Sequence, residues 1–125
     1  MMKQKFSFSK RLASFSFAFS GLRVLFKEEH NSWIHLFLAT SVLVLGIWLR
    51  ISILEWVCLV FAIGFVFVAE LFNSAIENIC DFISPEKNTV IGKIKDLAAA
   101  GVLFSAITAF IVGAIIFLPK IVALF

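Results

Sequence analysis

Charge is what this sequence has least of. Only 15% of its 125 residues are Asp, Glu, Lys or Arg, whereas 62% are hydrophobic and 16 are phenylalanine. At a mean hydropathy of +1.06, a water-soluble domain of this size would expose too much apolar surface, so the bulk solvent is lipid. Cysteine is scarce as well. Cys58 and Cys80 stand 22 positions apart in one apolar run, about 33 Å along a continuous helix, so they cannot pair within the chain. Both read as buried small hydrophobes, without metal-binding spacing. The first residues are basic, yet no apolar core of roughly 7–15 residues with a small-residue cleavage site follows, which argues against a removable signal peptide. Internal repeats are lacking. So is a GxxxxGK(S/T) loop: Ile91-Gly92-Lys93 has neither the earlier glycine nor the following Ser or Thr. No protein-kinase glycine loop is present either. Nucleotide chemistry here would need an unrelated architecture.

What the sequence does have is one domain of long apolar runs. After a short basic lead at residues 1–9, Leu12, Phe15, Phe19, Leu22 and Phe26 recur at alternating spacings of three and four. That is the stripe of an amphipathic helix over 10–29, and Arg11, Arg23 and Lys27 on its flanks place it in the membrane interface. Three spans are expected next, at 33–53, 56–83 and 97–118. Trp33 and Trp48 serve as interfacial anchors of the first. Arg50 and Glu55 flank its connection to the second, and Ser84-Pro85 ends that second helix. Lys93, Lys95 and Asp96 lead into the third, and its small-residue start, Ala98-Ala99-Ala100-Gly101, favours close helix approach.

Orientation follows from the basic residues. Nine of the eleven Lys and Arg, including Lys3, Lys5 and Lys10, fall in the N-terminal segment or the 84–96 loop; only Arg50 and Lys120 lie opposite. Both basic segments are therefore expected in the cytoplasm. Nucleic acid is not an expected partner, because no exposed aromatic-basic module accompanies the charge.

The second span carries an anomaly. Glu70, Asn73, Ser74, Glu77 and Asp81 fall within one third of a helix circumference at about 100° per residue. Ionisable side chains inside a membrane face protein or water and mark a candidate functional site. Glu29, Glu70, Asn73, Glu77, Lys95 and Asp96 can all meet at one depth near the cytoplasmic interface. Glu29 and Glu77 suit a hard cation such as Mg²⁺ held together with phosphate oxygens. Lys95 offers a compact charge for phosphate, although a membrane anchor would look the same. Glu70, about two turns deeper, suits a general base toward a lipid hydroxyl. Asn73 and Ser74 are active-site support or interhelical hydrogen-bonding residues. Glu28 reads as a solvated charge, and His35 as a packing histidine. Together the set describes phosphoryl transfer from a cytosolic nucleotide, ATP in the fullest reading, to a membrane-dissolved alcohol. The competing reading is a small transporter subunit that titrates Glu70.

Glu70-Leu-Phe-Asn-Ser-Ala-Ile-Glu77, then Asp81, then Lys95-Asp96-Leu-Ala-Ala-Ala-Gly101 closely resembles the prokaryotic integral-membrane diacylglycerol kinase family. Gly21-Leu22-Arg23 and Glu29 fit its N-terminal region, and the resemblance spans about 10–118. It implies an all-α homotrimer of three-span subunits with an interfacial helix and shared active sites. It further implies Glu70 as catalytic base, Glu29 and Glu77 as metal ligands, and Asn73, Lys95 and Asp96 as nucleotide and active-site groups. Within the family, Glu29-His30-Asn31-Ser32-Trp33-Ile34-His35 is similar to the E-x-N-x-R-I-H pattern of the undecaprenol kinase branch. It departs at Trp33, where that branch has Arg. The expected acceptor leans to undecaprenol over diacylglycerol.

Overall fold

The computed structural model describes residues 5–125, and among them every regular element is an α-helix. Lys3 and the first four residues of the basic lead lie outside the described part. The first helix, α1, spans Phe8–Glu28; it begins earlier than expected because Ser7 caps it, its Oγ accepting from the Lys10 amide. Its apolar stripe stays uncovered: Leu12, Phe15 and Phe19 are all more than 60% exposed, and only Leu25 is buried. Such a face is fit for the headgroup boundary of a bilayer.

Glu29 alone separates α1 from α2 (His30–Leu49), with an extended backbone at φ −111°. The first span thus starts at His30 and ends at Leu49, four residues short of the expected Ile53. Its end is set by Arg50, which takes the left-handed conformation (φ 52°) and donates its amide to the carbonyls of Gly46 and Ile47. For a residue with a side chain this costs about 1–2 kcal/mol. Packing below the turn offsets that cost. Gly46 is buried, and a Cβ there would meet the Trp56 ring at 2.9 Å and Ile51 Cδ1 at 3.2 Å. Hydrogen at that position is what lets Trp56 and Ile51 close the corner.

Helix α3 (Ile53–Ile83) starts three residues before the expected Trp56. Ser52 and Glu55 form a reciprocal capping box, Ser52 Oγ accepting from the Glu55 amide at 3.2 Å and Glu55 Oε1 from the Ser52 amide at 3.0 Å. Helix α4 (Thr89–Val122) starts eight residues before the expected Leu97, because the Asn88 side chain accepts from the Val90 and Ile91 amides. It also runs through Pro119 to Val122. At 31 and 34 residues these helices are about 46 and 51 Å long, longer than a hydrocarbon core of about 30 Å. Lys93, Lys95 and Asp96 therefore ride on the projecting first turns of α4.

The principal pairing is α3 against α4, with α2 on α3 and the end of α1 against both α2 and α3. The tight packing lies at the end of the bundle opposite Glu29, where Ile51, Leu59, Ile116 and Phe117 cluster. There Lys120 Nζ reaches Glu55 Oε2 at 2.9 Å, tying the end of α4 to the start of α3. Cys80 is buried as expected, but Cys58 is exposed on the outer face of α3. Gly101 also differs from expectation: it is exposed and has no neighbour near its Cα. Replacing Ser52 with Ala removes the cap and should cost about 1 kcal/mol. Thermal unfolding in detergent should show a midpoint lower by a few degrees, with activity per folded protein unchanged.

Candidate active site

The site is built on the break at Glu29. A residue at the start of a helix normally turns its side chain back to cap the first amides; Glu29 makes no such bond. Its carboxyl instead joins Glu77 across the α1–α2 corner. The corner is locked from outside by Trp33, whose Nε1–H donates to the Phe26 carbonyl at 2.7 Å while its ring packs edge-on to Phe26 at 5.1 Å. Phe26 in turn sits 6.1 Å from Phe67 of α3. The indole thus satisfies a carbonyl that the end of α1 would leave bare. Trp33 is a hinge pin as well as an interfacial aromatic.

From α3, Glu70 is 1% exposed, Asn73 7% and Ser74 5%. Asn73 Nδ2 donates to Glu77 Oε1 at 3.1 Å, so the amide holds one metal-ligand candidate in place. A cleft of about 440 Å³ is lined by Glu29, Asn31, His35, Glu70, Asn73 and Glu77 on its polar side. Helix α4 closes it with Ala99, Val102, Leu103 and Ala106. The small-residue start of α4 therefore serves the cleft, through Ala99.

His35 is not merely packing. Its Nε2 lies 2.9 Å from Glu70 Oε1. The contact is close but not aligned as an N–H···O hydrogen bond, so Oε1 has no hydrogen-bond partner; the Asn73 Oδ1 is likewise bare. His35 also lines a second, apolar chamber of about 540 Å³, which runs between α2, α3 and α4 past Val66 and Ala109 to Phe117. One imidazole stands where the polar cleft meets the apolar one.

Electrostatics single out Glu29. A hydrogen bond to Glu77, partial burial, and the charges of Glu77, Glu70 and Glu28 push its carboxyl up to about 7. Two carboxylates sharing one place cannot both ionise freely without a cation.

Four of the six residues expected at one depth meet here: Glu29, Glu70, Asn73 and Glu77. Lys95 and Asp96 do not line the cleft. Lys95 Nζ is instead hydrogen-bonded to Asp81 in a half-exposed ion pair at the rim, and such pairs contribute little. Ser74 is buried beside the cleft without lining it, and its carbonyl accepts from Asn78 at 2.8 Å. Asn78 also reaches Glu28 at 3.1 Å, so this exposed carboxylate helps dock α1 on α3. Sequence reasoning passed over Asn78, and gave Asn31 and His35 no place in the site: the one only a position in the branch pattern, the other a packing role. The signal for Asn31 and His35 was their spacing of four, which places both on one face of α2.

Three helices long and apolar enough to cross a membrane, with a carboxylate-lined cleft toward one end of the bundle, define a helical membrane protein with a polar site. Comparison with known proteins narrows this. Residues 16–117 match the family described as prokaryotic diacylglycerol kinase. An undecaprenol kinase of Bacillus subtilis (strain 168) is 36% identical over 86% of this chain and 88% of its own length. A diacylglycerol kinase of Synechocystis is 32% identical over 90% of this chain and 65% of its own. That of Escherichia coli (strain K12) is 29% identical over 87% and 89%. The chain belongs to the prokaryotic diacylglycerol kinase family, and is a lipid kinase rather than a transporter subunit.

Trp33→Phe keeps the ring contact and loses the bond to Phe26, which should cost about 1 kcal/mol. Amide exchange at residues 26–33 should quicken while the α3–α4 pair stays protected.

Proposed function

We propose that this kinase transfers the γ-phosphoryl group of ATP to the hydroxyl of undecaprenol, with Glu70 as general base. The observation that carries the reading is the place of Glu70. It is buried, one of its oxygens lacks a hydrogen-bond partner, and it borders a polar cleft at the point where His35 opens onto the apolar chamber. A lipid alcohol with its chain in that chamber presents its hydroxyl at Glu70. The hydroxyl proton passes to the carboxylate, the oxygen attacks the γ-phosphorus, and ADP leaves.

Glu29 and Glu77 fit a Mg²⁺ site. Both are hard oxygen donors, and the hydrogen bond to Glu77, the burial and the neighbouring charges that hold Glu29 high are what a cation between the two carboxylates would replace. Among the described residues no group of three or more His, Cys, Asp or Glu forms a cage. That suits an ion completed by phosphate oxygens and water. When bound, Mg²⁺ would neutralise charge on the transferred phosphate. Asn73 orients Glu77. Lys95 and Asp96, at the rim with Asp81, meet the nucleotide, and Ser74 supports the buried wall. The family resemblance adds a homotrimer with sites shared between subunits. On that arrangement Lys95 and Asp96 serve a cleft they do not line within their own chain. The charge distribution favours the N-terminus and the site facing the cytoplasm, and the prokaryotic family favours a bacterial inner membrane.

Undecaprenol is favoured by Ile34-His35 in the segment after Glu29, and by the higher identity to a protein named for that activity, 36% against 29–32%. Diacylglycerol and undecaprenol offered separately with Mg-ATP to reconstituted protein decide this: transfer to undecaprenol is expected, and transfer to diacylglycerol alone would reverse the choice. In the same assay Glu70→Gln should lower kcat by about 10²–10⁴-fold. An unimpaired variant would remove Glu70 from the mechanism.

A cation entering between Glu29 and Glu77 must expel the proton they share near neutrality. Its affinity should therefore fall as the pH drops below about 7, by up to roughly tenfold per unit. The Mg²⁺ activation midpoint, followed between about pH 6 and 8, should move to higher concentration on the acid side. A midpoint that ignores pH would take this pair out of the metal site.

A further inference from the structure

We infer that His35 is a positioning and proton-relay residue for Glu70, taking the proton that the acceptor hydroxyl gives up. This rests on the reading of Glu70 as base. The argument starts from burial. A carboxyl group that is 1% exposed cannot hand a proton to bulk water. The nearest group able to take it is His35 Nε2, 2.9 Å from Oε1. That nitrogen does not point an aligned N–H at the oxygen. At that separation the ring nitrogen and the carboxyl oxygen are within reach of one proton, which passes when the ring turns into line with the oxygen.

The surroundings give the imidazole a route outward. Its side chain is 19% exposed, against 2% for that of Glu70, and it lines both chambers. The titratable groups facing it are Glu70 on α3, with Glu77 further along that helix, and Glu29 from the α1–α2 corner; α4 offers only Ala99, Val102, Leu103 and Ala106. No basic side chain in the cleft competes for the role.

In full, the acceptor O–H bond breaks and its oxygen bonds to the γ-phosphorus. The bond from that phosphorus to the bridging oxygen of ADP breaks. The proton lands on Glu70 Oε1, crosses to His35 Nε2 and leaves through the polar cleft. Once His35 has taken the proton and passed it on, Glu70 is again the carboxylate that accepts the next one.

The test uses His35→Ala and His35→Gln in reconstituted full-length protein, with saturating Mg²⁺ and lipid. His35→Ala should lower kcat by roughly 10–100-fold, as loss of an outer-shell partner does elsewhere, with KM for Mg-ATP unchanged. Added imidazole should restore part of the rate. His35→Gln keeps a donor of similar size but cannot take a proton. It should stay impaired, with the acid limb of its kcat profile displaced to higher pH relative to the unmodified protein. Glu29 and Glu77 are the same in both, so the displacement reports on the Glu70 pair. His35→Gln with the unmodified kcat and pH profile would overturn the relay. So would a folded His35→Ala that imidazole does not rescue. If His35→Ala fails to fold, the His35→Gln profile decides alone. Full activity in Glu70→Gln would sink the base reading itself, whereas an inactive Glu70→Gln beside a normal His35→Gln would sink only the relay.

Discussion

Three carboxylates held in one cleft at the edge of an apolar bundle are the constraint on which this structure turns. Glu29 is pushed up to about 7 by its hydrogen bond to Glu77, by burial and by the charges of Glu77, Glu70 and Glu28, the sign of how closely the three are held. Nothing in lipid could hold them together, so their position must be fixed by backbone. The fold supplies this with a helix break of one residue at Glu29, a long α3 that delivers Glu70 and Glu77 two turns apart, and an amide, Asn73, between them. Relaxing any of these would let the carboxylates separate toward water, which is where they would be more stable in the absence of a cation.

That cost is met at the other end of the molecule. The Gly46 corner, the capping box of Ser52 and Glu55, the Lys120 contact and the Ile51–Leu59–Ile116–Phe117 cluster are all far from Glu29 along the helices. The bundle is interlocked at the end away from Glu29, while the polar cleft stays open at the other. On α4 the division shows in side-chain size. Ala99 and Ala106 leave room beside the carboxylates, whereas the larger Ile116 and Phe117 are buried toward the far end, Phe117 at the end of the apolar chamber.

The number and order of the helices were legible because runs this apolar admit few alternatives in lipid. Their ends were less so, for a physical reason. Hydropathy marks where a helix enters hydrocarbon, while the helix itself starts at its cap. Asn88 begins α4 well before its apolar run, and Ser52 begins α3 inside what looked like a connection. The end of α2 was hidden differently, since an arginine in a left-handed turn carries no sequence signature.

Within the site, periodicity along α3 revealed Glu70, Asn73 and Glu77, because one helix fixes their relative angles. Contacts between helices carry no such code. Lys95 was expected at the cleft from its level in the membrane, yet level says nothing of azimuth, and Asp81 on the facing helix holds it at the rim. His35 illustrates the converse. Alone on an apolar face it read as packing, and only the register of α2 against α3 puts its ring nitrogen against the buried oxygen of Glu70. The same register gives that ring a second neighbour, the apolar chamber. His35 therefore touches both the buried carboxylate of the polar cleft and the apolar chamber, a juxtaposition that neither helix shows by itself.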